Sequence, residues 1–441
     1  MDLLFYLLVF LLVLIVSSTT NKLLPFLPMP LIQILLGIGL GLCLPNNQYH
    51  LDTELFLALV IGPLLFREAQ ESDITSILKH WRIVLFLIFP VIFVSALSIG
   101  GLAHVLWASL PLAACVAVGA ALGPTDLVAF ASLSQRFSFP KRVSNILKGE
   151  GLLNDASGLV AFRMALIAWT TGTFSLTQAG TSLAISIVGG FAVGLITALI
   201  NRFLHSFLLS VRATDIASEL LLELSLPLLT FFIAEEIHVS GIIAVVVAGI
   251  LKASRFKKIN LLEAQVDTVT ETVWDTVTFM LNGSVFVVLG MELEMIAEPI
   301  LKSAFYNKVL LLLSVFLLTF LLFAIRFVMI YGFYAFRIKK LHKSLDKYVK
   351  DMLLLTFSGV KGTVSIATIL LIPFDLEQEY SLLLFLVAGV TLVSFLTGLL
   401  VLPHLSEEKE PSKDQLMHIA ILNDVAMELE KDLENTKNKV P

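Results

Sequence analysis

Residues 148–163 read KGEGLLNDASGLVAFR, and residues 121–130 upstream of them read ALGPTDLVAF. Both stretches set carboxylates inside apolar runs: Asp126 in the upstream one, Glu150 and Asp155 in the other. Asp155 lies about 10 residues beyond the start of an apolar segment over 145–171. That is ~15 Å along a helix, half of a ~30 Å hydrocarbon core. An ionisable group at such depth costs about 2.5–3.5 kcal/mol on insertion scales. Each of these acids therefore requires a partner or a task.

The rest of the chain supplies the membrane. Of 441 residues, 57% are hydrophobic and 15% charged, and the mean hydropathy is +0.91. Soluble domains are less apolar and carry about 25% charged residues, so a soluble fold, disorder and a coiled coil are excluded. A balance of 30 Lys and Arg against 35 Asp and Glu excludes a nucleic-acid binder. Eight His and two Cys are too scattered for a zinc cluster or a disulfide framework; Cys43 and Cys115 read as reduced packing residues. No cofactor is implied, and no catalytic domain.

Thirteen apolar segments predict an all-α polytopic membrane protein, at about 2–17, 27–44, 51–66, 83–107, 110–133, 145–171, 176–200, 217–234, 239–252, 272–291, 305–334, 351–373 and 380–403. The first has no basic n-region and no cleavage site, so it reads as a retained helix. Linkers after odd-numbered segments, with their flanks, hold 20 Lys and Arg, whereas those after even-numbered segments hold Lys302 and Lys308. Cytoplasmic loops collect basic residues. The N-terminus is thus expected outside, with the tail 404–441 cytoplasmic and the chain in a plasma membrane, a bacterial inner membrane. Within the tail, QLMHIAILNDVAMELEKDL reads as a solvated amphipathic helix.

Three features point to ion chemistry. Gly123-Pro124 should unwind the fifth segment, because Pro removes an N–H and Gly weakens the helix beside it. Gly359 and Gly362, bracketing Lys361 in FSGVKGTVSIATIL (357–370), should do the same in the twelfth. Segments five and twelve run in opposite directions, so two broken helices of opposite sense suggest inverted repeats meeting at a midplane site. Lys361 would neutralise the freed carbonyls there. Arg326, in LLFAIRFVMIY, needs an anion, and Glu150 is the preferred partner. Asn154 and Asp155 point about 100° apart and border one cavity. A bare carboxylate at that depth takes up a proton or a metal cation, and seldom both at once, which is the core of a cation/proton exchanger. Arg163 is expected near the outer interface without a transport role, and Glu271, Asp275 and Asn282 along a vestibule. A competing reading is an intramembrane aspartyl protease with Asp126 and Asp155 as a dyad.

At GPTDLVAF, GEGLLNDASGLVAF, HVSGIIAVVVAGI (238–250), FMLNGSVFVVLGMELE (279–294), RFVMIY (326–331) and SGVKGTVSIA (358–367), the sequence resembles the monovalent cation:proton antiporters. The resemblance is to their electroneutral NhaP/NHE-like branch. It implies two inverted six-helix repeats with crossed broken helices, a NhaA/NhaP-like fold. Dimerisation helices would cover about 2–66 and 217–291, core helices about 83–171 and 305–403, and a linker helix about 176–200. It further implies a homodimer in the lipid membrane, an elevator movement, pH homeostasis, and one-for-one exchange of H⁺ for Na⁺, with Li⁺ or K⁺ as alternatives. By position, Asp155 is the cation- and proton-binding carboxylate, Asn154 its structural neighbour and Thr125 a ligand oxygen. Asp126 then belongs to the crossover, and Glu150 with Arg326 forms the core ion pair. Three departures stand out: Gly151 where many members have Ser, Arg67 where many have Glu, and Lys361 in place of Arg.

Overall fold

In a computed structural model of the protein, the described residues are 2–24, 29–43, 53–126, 137–172, 176–211, 215–253, 261–302, 306–341, 348–372 and 377–408. The amphipathic stretch of the tail and residues 127–130 of the ALGPTDLVAF motif lie outside them.

Helix occupies each of the thirteen apolar stretches. Helices α1 (Asp2–Leu23) and α2 (Met29–Cys43) come first. Helix α3 runs from Thr53–Phe56 through a π-helical turn, Leu57–Ile61, into Gly62–Glu71, and the short α4 (Ile74–Leu78) follows it. Helix α5 has the same construction: Trp81–Phe86, a π-helical turn Leu87–Val91 around Pro90, and Ile92–Leu106. Next come α6 (Leu112–Ala121), α7 (Lys141–Thr171), α8 (Leu176–Ser210), α9 (Ile216–Glu236), α10 (Gly241–Ala253) and α11 (Leu261–Lys302). Helices α12 (Lys308–Leu341), α13 (Val349–Phe357), α14 (Thr363–Ile369) and α15 (Glu377–Leu405) complete the set. Among the described residues, seven helical spans are long and apolar enough to cross a bilayer by length and composition.

The short helices have local causes. Helix α6 ends at Ala121, two residues before Gly123-Pro124, and α13 ends at Phe357, just before Ser358-Gly359. One departure from an all-helical chain is a two-residue antiparallel pairing, Phe137–Ser138 (β1) with Glu407–Glu408 (β2). It joins the segment leading into α7 to the end of α15. Outside the membrane, Asp73 caps α4. Hydroxyl donation from Ser76 first, then Thr75 and the Ser76 N–H, holds its carboxyl at about 2, below the ordinary value. The cap is charged at neutral pH and is lost only as pH falls through that value.

The surface inverts that of a water-soluble protein. Helix α8 exposes Ile185, Val188, Phe191 and Phe203, each more than half accessible, as a lipid-facing helix should. Inside, α2 and α11 touch through Gly37 and Gly290, where a Cβ at either would overlap the facing backbone. Small residues permit this approach in membranes, where van der Waals packing drives helix association. Gly290→Val is therefore expected to destabilise by about 1–3 kcal/mol, read as a lower unfolding temperature in detergent. Gly39→Ala, in open space on the same α2, should leave that temperature unchanged or raise it.

Candidate cation and proton site

The two broken segments cross. Residues 122–126, which follow α6, meet the chain between α13 and α14, where the Asp126 N–H donates to Val360 O at 3.0 Å. Lys361, 2% exposed, donates from Nζ to Gly123 O at 2.8 Å and Pro124 O at 2.7 Å. Those carbonyls lost their helical partners to the Gly-Pro break, and the ammonium replaces them. From α15, Ser394 Oγ accepts from the Lys361 N–H at 3.1 Å. At Gly362 a Cβ would collide with the Asp126 carboxylate, and at Gly359 with the Arg326 side chain. Glycine at both positions lets the crossing close.

Beside the crossover, Arg326 from α12 and Glu150 from α7 form a bidentate pair. Nη1 donates to Oε1 at 2.6 Å and Nη2 to Oε2 at 2.7 Å, with both side chains almost fully buried. The remaining Nε donates to Leu355 O on α13 at 2.9 Å, so one guanidinium ties three helices together. Thr125 Oγ1 donates to Glu150 Oε1 at 3.2 Å. Asn154, fully buried, donates from Nδ2 to both Thr125 Oγ1 (2.7 Å) and Thr125 O (2.9 Å). The Thr125 backbone is thus held open from α7.

Asp155, 6% exposed, sits outside these pairings. Its Oδ1 and the Asn154 Oδ1 are buried acceptors with no hydrogen-bond partner among the described residues, and no ion pair to Asp155 occurs among them. Asp126 and Lys361 are its charged neighbours. Two vacant acceptor oxygens on adjacent residues suit a species bringing positive charge: a proton, or a hard cation that takes oxygen ligands. Gly151 is buried in α7 and offers no side chain.

Two residues of this neighbourhood were not singled out from the sequence. Glu68 of α3 carries a buried Oε2 without a hydrogen-bond partner, and its electrostatic neighbours are Lys148, Asp126, Glu71 and Asp155. The adjacent Arg67 turns the other way, with Nε 2.6 Å from Glu71 Oε1 and its guanidinium over Trp274. An acid therefore remains on this side despite Arg67. Ser157 donates to Asn154 O at 2.8 Å and to Ile88 O at 2.9 Å, a carbonyl inside the π-helical turn of α5. The proximity of Glu68 was masked by the charge of Arg67 beside it, and a π-helical turn leaves no pattern in apolar spacing. Arg163 is half-exposed, 3.7 Å from Glu235 on α9. Glu271 and Asp275 are exposed on α11, whereas the Asn282 Oδ1 is buried without a partner among the described residues.

The profile of the transmembrane sodium/hydrogen exchanger family matches residues 7–406. The chain belongs to that family. It is a family of transporters, which removes the protease alternative. An exchanger of Bacillus pumilus, described as a sodium, potassium, lithium and rubidium/H(+) antiporter, is 33% identical over 96% of this chain. A protein of Bacillus subtilis with the same description is 34% identical over 92%. This chain spans 62% of the length of each of these two relatives. The uncharacterized Na(+)/H(+) exchanger YjcE of Escherichia coli is 31% identical over 93% of this chain and 77% of its own length. In fold, the chain resembles the sodium proton antiporter MjNhaP1 of Methanocaldococcus jannaschii, with TM-score 0.66 and 18% identity. That match covers 92% of this chain and all of the other.

In this chain the Glu150–Arg326 pair tests the geometry directly. Glu150→Gln leaves a buried guanidinium half-satisfied, expected to destabilise by about 3–5 kcal/mol. The loss would show as a fall in detergent unfolding temperature. The double variant Glu150→Gln, Arg326→Gln should recover part of it, because no charge is then stranded.

Proposed function

We propose that the protein is a secondary active transporter exchanging one H⁺ for one Na⁺, with Li⁺ and K⁺ as further substrates, through Asp155. The observation that carries this reading is the pair of vacant acceptors on Asn154 and Asp155, buried beside an opened Thr125 backbone. Around it, Glu150, Arg326 and Lys361 are all held in hydrogen bonds. Asp155 takes up a proton on one side, releases it, and binds the cation on the other, so each species displaces its competitor. Thr125 and Asn154 supply neutral oxygens for a dehydrated alkali ion, and Glu68 supplies a second carboxylate at the approach. Gly151 leaves a ligand place for water or backbone. Lys361 and Asp126 hold the crossover, and the Glu150–Arg326 pair sets the register of α7, α12 and α13.

The names of the Bacillus relatives support a broad alkali-cation range. Thirteen crossings with a cytoplasmic C-terminus, two inverted six-helix repeats, a homodimer built on the first and middle helices, and alternating access by an elevator movement belong to the same proposal. Asn before Asp155 supports electroneutral exchange, since a single carboxylate carries either one proton or one monovalent cation.

Reconstituted in liposomes, the protein should collapse an imposed pH gradient on addition of Na⁺, at a rate unaffected by clamping the membrane potential. Asp155→Asn should abolish this, and exchange retained in that variant would remove Asp155 from its role. A strong voltage dependence would defeat one-for-one stoichiometry. Thr125→Val, which keeps the shape but removes the hydroxyl, should raise the apparent KM for Na⁺ roughly 10-fold. Comparing Na⁺, Li⁺ and K⁺ in one assay ranks the substrates.

A further inference from the structure

Glu292 takes no part in the cluster around Asp155. It lies one residue inside the far end of the apolar span Thr268–Leu293 of α11, away from the Lys- and Arg-rich segment 252–258 that precedes this helix. It is 7% exposed, and its Oε2 has no hydrogen-bond partner among the described residues.

Its direction follows from helix phasing. Gly283, Val287 and Gly290 face α1 and α2, where they meet Leu14, Gln33 and Gly37. At 100° per residue, Glu292 falls on the opposite side of α11. Between that side and the α2 face, six residues nearer the start of α11, Phe286 packs against Phe395 of α15, their rings 6.0 Å apart. Glu292 bears electrostatically on Tyr380 at the start of α15. Of the other helices packed on α11, α2 and α14 carry no Asp, Glu, Lys, Arg or His. Arg67, over Trp274, and Glu223, bonded to Gln70 and Lys252, lie toward the opposite end, whereas Glu54 of α3 and Glu235 and Glu236 of α9 stand at the other ends of their helices, Glu235 accepting from the Gly241 N–H and lying 3.7 Å from Arg163. Lys22 of α1 precedes α2, whose Gln33 is level with Gly283. Tyr380 is the titratable group on which Glu292 bears, and among the described residues no cation pairs with Glu292.

A carboxyl held in a dry seam without a cation favours its neutral form, and water reaching it favours ionisation. Under the proposed movement, α11 and α15 belong to different bodies, so the seam between them opens when the site faces the side away from the basic loops. We propose that Glu292 is the access acid of that side. Neutral while the seam is shut and ionised once it opens, it draws alkali cations toward Asp155 and couples their uptake to the pH of that compartment. This rests on the exchange reading of Asp155.

The test measures radiolabelled Na⁺ uptake in right-side-out and everted membrane vesicles holding wild type, Glu292→Gln, Glu292→Asp and Asp155→Asn. Glu292→Gln should still exchange, with the apparent KM raised roughly 5-fold or more when Na⁺ is supplied on the side away from the basic loops. Its rate there should vary less with that side's pH, while the values on the other side match wild type. Glu292→Asp keeps the charge and should restore most of the lost affinity. Unchanged side-specific KM and pH profiles in Glu292→Gln, or equal changes on both sides, would overturn the role of Glu292. Exchange persisting in Asp155→Asn would instead sink the underlying reading.

Discussion

Hydrocarbon offers no hydrogen bonds, so a chain that breaks two helices at membrane depth must supply partners from within. The crossover of this protein is the response to that constraint. The break at Gly123-Pro124 leaves carbonyls that no helix completes, and Lys361, itself expensive to bury, reaches across from the other break to complete them. Two liabilities cancel in one contact, and the contact exists only if the two breaks lie side by side. The position of Thr125, Asp126 and the start of α14 all descend from it.

Around that contact the charges divide into two kinds. Glu150, Arg326 and Lys361 are saturated by short, directed bonds, which fixes several helices together and leaves these groups with nothing to bind. A buried pair of this kind adds little net stability compared with apolar packing. Its value is positional, and the bidentate geometry with a third bond to Leu355 O explains why Arg rather than Lys stands there. Asp155 is the other kind. It is placed by its neighbours yet left with an unbonded oxygen, and under the proposed exchange that incompleteness would let one residue accept either of two cargoes. The saturated charges make the frame in which the unsaturated one can work.

Much of this was legible in the sequence, because membrane burial turns charge into information. The depth of Asp155, both helix breaks and the need of Arg326 for an anion follow from counting residues between apolar boundaries. What was hidden depends on rotation and on irregular backbone. Arg67 and Glu68 are neighbours, but 100° apart on a helix, and only the fold shows that the acid turns toward Asp126 and Asp155 and the base toward Glu71 and Trp274. Ser157 finds its acceptor through a π-helical turn at Pro90, which shifts a carbonyl out of the regular ladder. Helix α11 spans Leu261–Lys302 rather than 272–291, since polar residues continue a helix past the apolar span that marks it. The pairing of Phe137–Ser138 with Glu407–Glu408 joins residues about 270 apart in the chain and leaves no trace in local composition.

The central claim is that one carboxyl holds either a proton or an alkali cation. Titrating purified protein with Na⁺ in weakly buffered solution, below the pH at which Asp155 ionises unaided, measures this without transport. Close to one proton should be released per Na⁺ bound, and none from Asp155→Asn. Na⁺ binding with no proton release from the wild-type protein would contradict it.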